Sequence, residues 1–119
     1  MKSLTNREEE LMKLFWEKGP LFVKEIITML GDPKPHFNTI STIVRGLETK
    51  GYVAHEVFGN THRYYAAVSE SEYGKRTLGN VVNRYFGDSY LSAVSSLVKE
   101  EKISVDELKK LIELVEKQN

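Results

Sequence analysis

Apolar positions follow a helical rhythm along most of this chain and switch to strict alternation once, between Tyr52 and Ala66. Thr5-Asn6-Arg7-Glu8 has the spacing of a capping box, in which a threonine hydroxyl and a glutamate carboxylate satisfy the free amides of a helix start. The helix it opens runs to about Lys18 with Leu11, Met12, Phe15 and Trp16 on one stripe, and Gly19-Pro20 stops it. Leu21-Phe22 is short enough to be a single small strand. A helix of about eight residues follows, with Val23, Ile26, Ile27 and Leu30 on one side and Gly31 at its end. Asp32-Pro33-Lys34-Pro35 forms a turn, because each proline fixes its own φ and biases the residue before it away from the helical region.

The next helix extends from about Asn38 to Lys50, with Ile40, Ile43, Val44 and Leu47 as its buried stripe. Gly51 is suited to a C-cap, and two alternating segments then flank Gly59-Asn60: Tyr52 to Phe58 and Thr61 to Ala66. A two-residue Gly-Asn connection supplies the positive φ that primed hairpin turns require. Tyr64 and Tyr65 point to opposite faces of their strand, so one belongs to the core and the other to the surface. Helix, turn and tight hairpin in immediate succession form the reading half of a winged helix-turn-helix.

From Ser69 the helical rhythm returns. Ser69 to Glu72 is a second capping box, leading a helix with Leu78, Val81, Val82, Tyr85 and Phe86 on a stripe and Gly87 at its close. A shorter helix carries Leu91, Val94, Leu97 and Val98, and a third box, Ser104 to Glu107, opens a last helix lined by Val105, Leu108, Leu111, Ile112 and Val115. Three such helices are too thin to bury their stripes against one another, so a second copy of the chain is the expected cover. The expected architecture is mainly α: a winged helix-turn-helix of three helices and a small antiparallel hairpin over residues 1–68, then a three-helix dimerisation element over residues 69–119. The residues expected at the dimer contact are Tyr73, Leu78, Val82, Tyr85, Phe86, Leu91, Val94, Leu97, Val98, Leu108, Leu111, Ile112 and Val115.

The third helix turns Asn38, Thr39, Ser41, Thr42 and Arg45 away from its apolar stripe. Short hydrogen-bonding side chains with one guanidinium suit base edges and phosphates in a groove, whereas a helix face serving only solubility usually carries more Lys and Glu. Lys34 and His36 ahead of the helix, and Asn60, His62 and Arg63 at the hairpin, complete the expected DNA-contacting set. Charge gives limited help, because 17 basic and 17 acidic residues cancel over 119 residues. Their distribution is more telling: residues 34–65 hold Lys34, Arg45, Lys50 and Arg63 against Glu48 and Glu56, while residues 87–119 have a net charge of −2.

Without cysteine there is no disulfide framework, thiolate metal site or cysteine nucleophile. His36, His55 and His62 share no ligand spacing, and no metal or other cofactor is expected. No glycine-rich phosphate loop, nucleophile elbow or zinc-binding helix motif occurs, so the chain reads as a binding protein rather than an enzyme. The first residues form no apolar signal core, and no run approaches the roughly 18 apolar residues of a membrane span. A cytoplasmic location is expected.

The stretches LTNREEELMKLFWEKGPLFVKEI, PKPHFNTISTIVRGLETKGYVAHE, GNTHRYYAAVSESEY and VVNRYFGDSYLSAVSSLVKEEKIS together resemble the penicillinase-repressor (BlaI/MecI/CopY) family over essentially the full length. The resemblance implies a homodimeric repressor that binds inverted-repeat operator DNA through its winged helix and dimerises through its C-terminal helices. It places Asn38, Thr39, Ser41, Thr42 and Arg45 in the major groove and His62 and Arg63 at the wing. Two departures matter. The cysteine cluster of the copper-responsive branch is missing, which excludes copper sensing by that route. In the β-lactam-responsive branch a membrane sensor protease leads to cleavage of an Asn-Phe bond after an FGGS-like turn; here the turn is Phe86-Gly87-Asp88-Ser89 and the aligned bond is Ser96-Leu97. Either a cognate protease accepts a different bond or another signal releases the repressor. The competing class is a winged helix that contacts protein without specific DNA binding, and a ligand pocket at a dimer interface is a third.

Overall fold

A computed structural model describes residues 3–118. Among them the order is α1 (Asn6–Lys18), β1 (Leu21–Phe22), α2 (Val23–Leu30), α3 (Phe37–Thr49), β2 (Val53–Phe58), β3 (Thr61–Ala66), α4 (Glu70–Tyr85), α5 (Tyr90–Lys99) and α6 (Val105–Gln118). The chain is mainly helical with one small antiparallel sheet, as its pattern predicts.

Local chemistry sets the element ends. The Thr5 hydroxyl accepts from the Glu8 amide at 3.2 Å and the Glu8 carboxylate accepts from the Thr5 amide at 2.9 Å, so both halves of the first capping box form. The Ser104–Glu107 box closes in the same way at 3.0 and 3.1 Å, while the Ser69 hydroxyl accepts from the Glu72 amide at 3.1 Å. Gly51 takes φ +87°, a left-handed conformation that a side chain resists, and this turns the chain from α3 into β2.

The sheet order is β1-β3-β2, antiparallel throughout, with Leu21 opposite Tyr64 and Phe22 opposite Arg63 on one side of β3. On the other side His55 faces Tyr64, Glu56 faces Arg63 and Phe58 faces Thr61 across the Gly59-Asn60 turn. Because side chains alternate along a strand, His55, His62 and Tyr64 share one face and Glu56, Phe58 and Arg63 the other. Tyr64 is the core tyrosine; Tyr65 is half-buried.

The core gathers Leu11, Met12 and Phe15 of α1, Ile26 of α2, and Ile40, Val44 and Leu47 of α3 against Leu21, Val53 and Tyr64 of the sheet. Ile43, the remaining member of the predicted α3 stripe, packs half-buried at the margin. Trp16 donates its indole N–H to the Val68 carbonyl at 2.9 Å. The Tyr73 ring lies 5.6 Å from that of Trp16 and 5.9 Å from that of Tyr52, and its hydroxyl donates to Glu9 at 2.9 Å.

Two compact units result, one through Gly74 and one from Lys75. The division falls one turn into α4 because Tyr73, which the sequence pattern groups with the dimer contacts, packs on residues of α1 and on Tyr52 in its own chain. In the second unit Asn83 donates to Asp88 at 2.6 Å and the Ser89 hydroxyl caps α5 by accepting from the Ser92 amide at 3.0 Å. Val82 is buried there, but the remaining apolar stripes are open: Leu78, Tyr85, Leu91, Leu97, Leu111, Ile112 and Val115 are all exposed, and Phe86 and Leu108 are half-buried. No helix of the described residues is long and apolar enough to cross a membrane.

Candidate nucleic-acid interface

Burial of Ile40, Val44 and Leu47 leaves α3 with only one way to face. Asn38, Thr39, Thr42 and Arg45 are exposed and Ser41 is half-buried. Thr42 donates its hydroxyl to the Asn38 carbonyl at 2.8 Å. The Arg45 guanidinium lies along the helix, its Nε donating to the Ser41 carbonyl at 3.4 Å and a terminal nitrogen to the Thr42 hydroxyl at 3.5 Å. These long, surface contacts steer the guanidinium without consuming its other donors.

A cleft of about 670 Å³ opens between this face, the start of α2 and the hairpin turn. Ser41 and Arg45 form its α3 wall and Asn60, Thr61 and His62 its hairpin wall, with Lys24 at the α2 edge. Six of the ten predicted contacts, Arg63 of β3 among them, lie outside this lining. Asn38, Thr39 and Thr42 lie exposed on α3 outside the cleft lining, and Lys34 and His36 are exposed on the turn before α3.

The two predicted wing contacts are separated by strand alternation. His62 stacks on His55 with ring centroids 4.1 Å apart and planes 6° from parallel, and both rings border Tyr64. The Glu48 carboxylate of α3 sits within hydrogen-bonding reach of His55 Nδ1 at 2.5 Å, so a chain of side chains runs from α3 into the hairpin. Burial raises the Tyr64 hydroxyl above its ordinary range, the Glu48 carboxylate adds to the effect and Arg45 opposes it, which leaves Tyr64 a neutral phenol at physiological pH. Arg63 lies on the opposite face, its guanidinium 4.6 Å from the Phe58 ring centroid and 3.9 Å from Glu56. Phe22 braces that ring edge-on at 5.8 Å.

Sequence reasoning missed several residues of this surface. Phe37 and Lys24 line the cleft, and Glu48 and His55 tie the helix to the wing. Phe37 stands four residues before Ser41 and eight before Arg45, a spacing that marks one helix face, but a helix start drawn at Asn38 hides it. Among the described residues no group of His, Asp or Glu side chains is arranged to hold a metal ion.

The penicillinase repressor family model matches residues 4–117 of the chain. The chain belongs to the penicillinase repressor family. It is similar to the methicillin resistance regulatory protein MecI of Mammaliicoccus sciuri, of Staphylococcus aureus and of Staphylococcus epidermidis, at 28% identity over 117 residues in each case, covering 96% of this chain and 94% of the relative. The match takes in both compact units of this repressor-family member.

Proposed function

We propose that the chain is a transcriptional repressor that reads an inverted-repeat operator as a homodimer, with α3 in the major groove and the β2–β3 hairpin as its wing. The observation that carries this reading is the joint cleft in which Ser41 and Arg45 of α3 face Asn60, Thr61 and His62 of the wing, polar donors and acceptors on both walls. Family membership supports regulation by repression. Asn38, Thr39 and Thr42 extend the reading edge along α3, Lys34, His36 and His62 supply flanking contacts, and Arg63 reaches phosphate from the outer face of the wing.

Dimerisation through the second unit is supported by its open apolar stripes, which a single chain leaves in water at about 25 cal/mol for each Å² of apolar surface. Two copies then engage half-sites about 34–36 Å apart, and repression follows from promoter occlusion. Release follows from loss of that pairing. The Ser96-Leu97 bond lies inside α5, where the Ser96 carbonyl accepts from the Glu100 amide at 3.1 Å, so cutting by a sensor protease requires this helix to open first.

Nuclease footprinting of the DNA upstream of the chain's own gene tests the reading. Two protected half-sites with dyad symmetry, centred about one helical turn apart or a multiple of it, are expected. Protection that lacks dyad symmetry, or none at micromolar protein, contradicts it.

A further inference from the structure

Phe37 is the least expected side chain on this surface. It is the first residue of α3, 47% exposed, and it makes no ring contact among the described residues, although the core beneath α3 takes up Ile40, Val44 and Leu47 completely. An aromatic ring left half in water forfeits part of the stabilisation that burial gives, so a half-exposed phenylalanine at the head of a polar helix face points to a partner that completes its cover. Its position narrows the partner. Phe37, Ser41 and Arg45 repeat at four-residue intervals and line the same cleft, so the ring lies in line with the proposed reading side chains rather than beside them.

We infer that Phe37 is a specificity-determining residue that reads the C5-methyl group of a thymine in each operator half-site. This rests on the DNA-reading proposal above and deepens it. In a helix docked in the major groove, the N-terminal residues are the ones that reach base edges, and Phe37 is the N-terminal one. The major-groove edge of thymine carries the one apolar group that any base pair displays there, and apolar side chains are its matching partners. Ser41 and Arg45 then supply hydrogen bonds to the neighbouring bases or phosphates while Phe37 contributes the apolar contact that neither can make.

The test is a thymine-to-uracil scan of the operator with the full-length protein. Uracil keeps the O4 acceptor and the pairing of thymine and removes only the methyl. One symmetric thymine position is expected to respond, with about fourfold weaker binding for each half-site changed and about fifteenfold when both are changed, the worth of one buried methyl-sized group. Phe37→Ala should bind the thymine operator more weakly and lose that response, while Phe37→Leu retains part of it. An unchanged thermal midpoint in both variants checks the fold, as expected for a ring outside the core cluster. Specific binding with every thymine replaceable at no loss, or a uracil response of equal size in Phe37→Ala, overturns the assignment while leaving the repressor reading standing. No preference for the operator over scrambled DNA overturns both.

Discussion

Glu8 near the start of α1 and Lys50 at the end of α3 form an ion pair in which both carboxylate oxygens accept from the ammonium, at 2.7 and 2.9 Å. Glu8 also completes the α1 capping box, so one largely buried carboxylate fixes the beginning of the first helix and the end of the helix proposed to read DNA. Burial alone would raise its pKa, but the hydrogen bond and charge of Lys50 and the Thr5 amide outweigh that effect and hold it below the ordinary carboxylate range.

A depressed folded-state pKa means that the ionised carboxylate stabilises the fold at any pH above its unfolded value. That contribution fades as pH falls through the folded value. Glu8→Gln should therefore cost about 2 kcal/mol at pH 7 and progressively less below pH 4, as seen by urea unfolding at several pH values. An equal cost at pH 7 and in acid would show that the charge is immaterial.

Arg45→Ala removes an exposed guanidinium whose contacts are all long, so stability should hold within about 0.5 kcal/mol. Operator binding should weaken by about 1–3 kcal/mol. The salt dependence assigns the contact: a shallower slope identifies a phosphate clamp, and an unchanged slope with relaxed preference at one position identifies a guanine reader. Unaltered affinity and slope would remove Arg45 from the interface.

Gly46 occupies the interior of α3, where glycine costs helix stability. A Cβ there would meet its nearest neighbour, Glu8 Oε2, at 3.9 Å, an ordinary contact. Gly46→Ala is expected to stabilise the chain by about 0.5–1 kcal/mol in chemical denaturation. Destabilisation would mean that the Glu8–Lys50 pair needs the space.

Much of this architecture is legible in the amino-acid sequence, and the reason is range. Thr5 with Glu8, Ser104 with Glu107, and Gly59-Asn60 act within three residues of themselves, so their chemistry can be read locally. The Glu48–His55–His62 series depends on how α3 lies over β2 and on the β2–β3 register, and it became visible only with both in place. The same register puts His62 and Arg63, adjacent in sequence, on opposite faces of the wing. Tyr73 follows a helical stripe that continues toward Phe86, yet the Trp16 ring and the Glu9 carboxylate draw it to the first unit. A stripe reports that a residue will be covered, not by what.

Removing residues 88–119 takes away α5 and α6 with most of the open apolar surface. The shortened chain should sediment as a monomer and lose about 10²–10⁴ in operator affinity, since the second half-site no longer benefits from effective concentration. Its affinity for a single half-site should hold. Undiminished affinity for the whole operator would contradict bivalent reading.

The most direct test of the central claim is fluorescence anisotropy of the full-length protein on the DNA upstream of its own gene and on a scrambled sequence, each at two salt concentrations. The repressor account predicts a preference of about a thousandfold or more for the upstream DNA and a steep loss of affinity with salt as counterions are released. Weak binding of equal strength to both sequences would contradict it and assign the face built by Ser41, Arg45 and His62 to a protein partner.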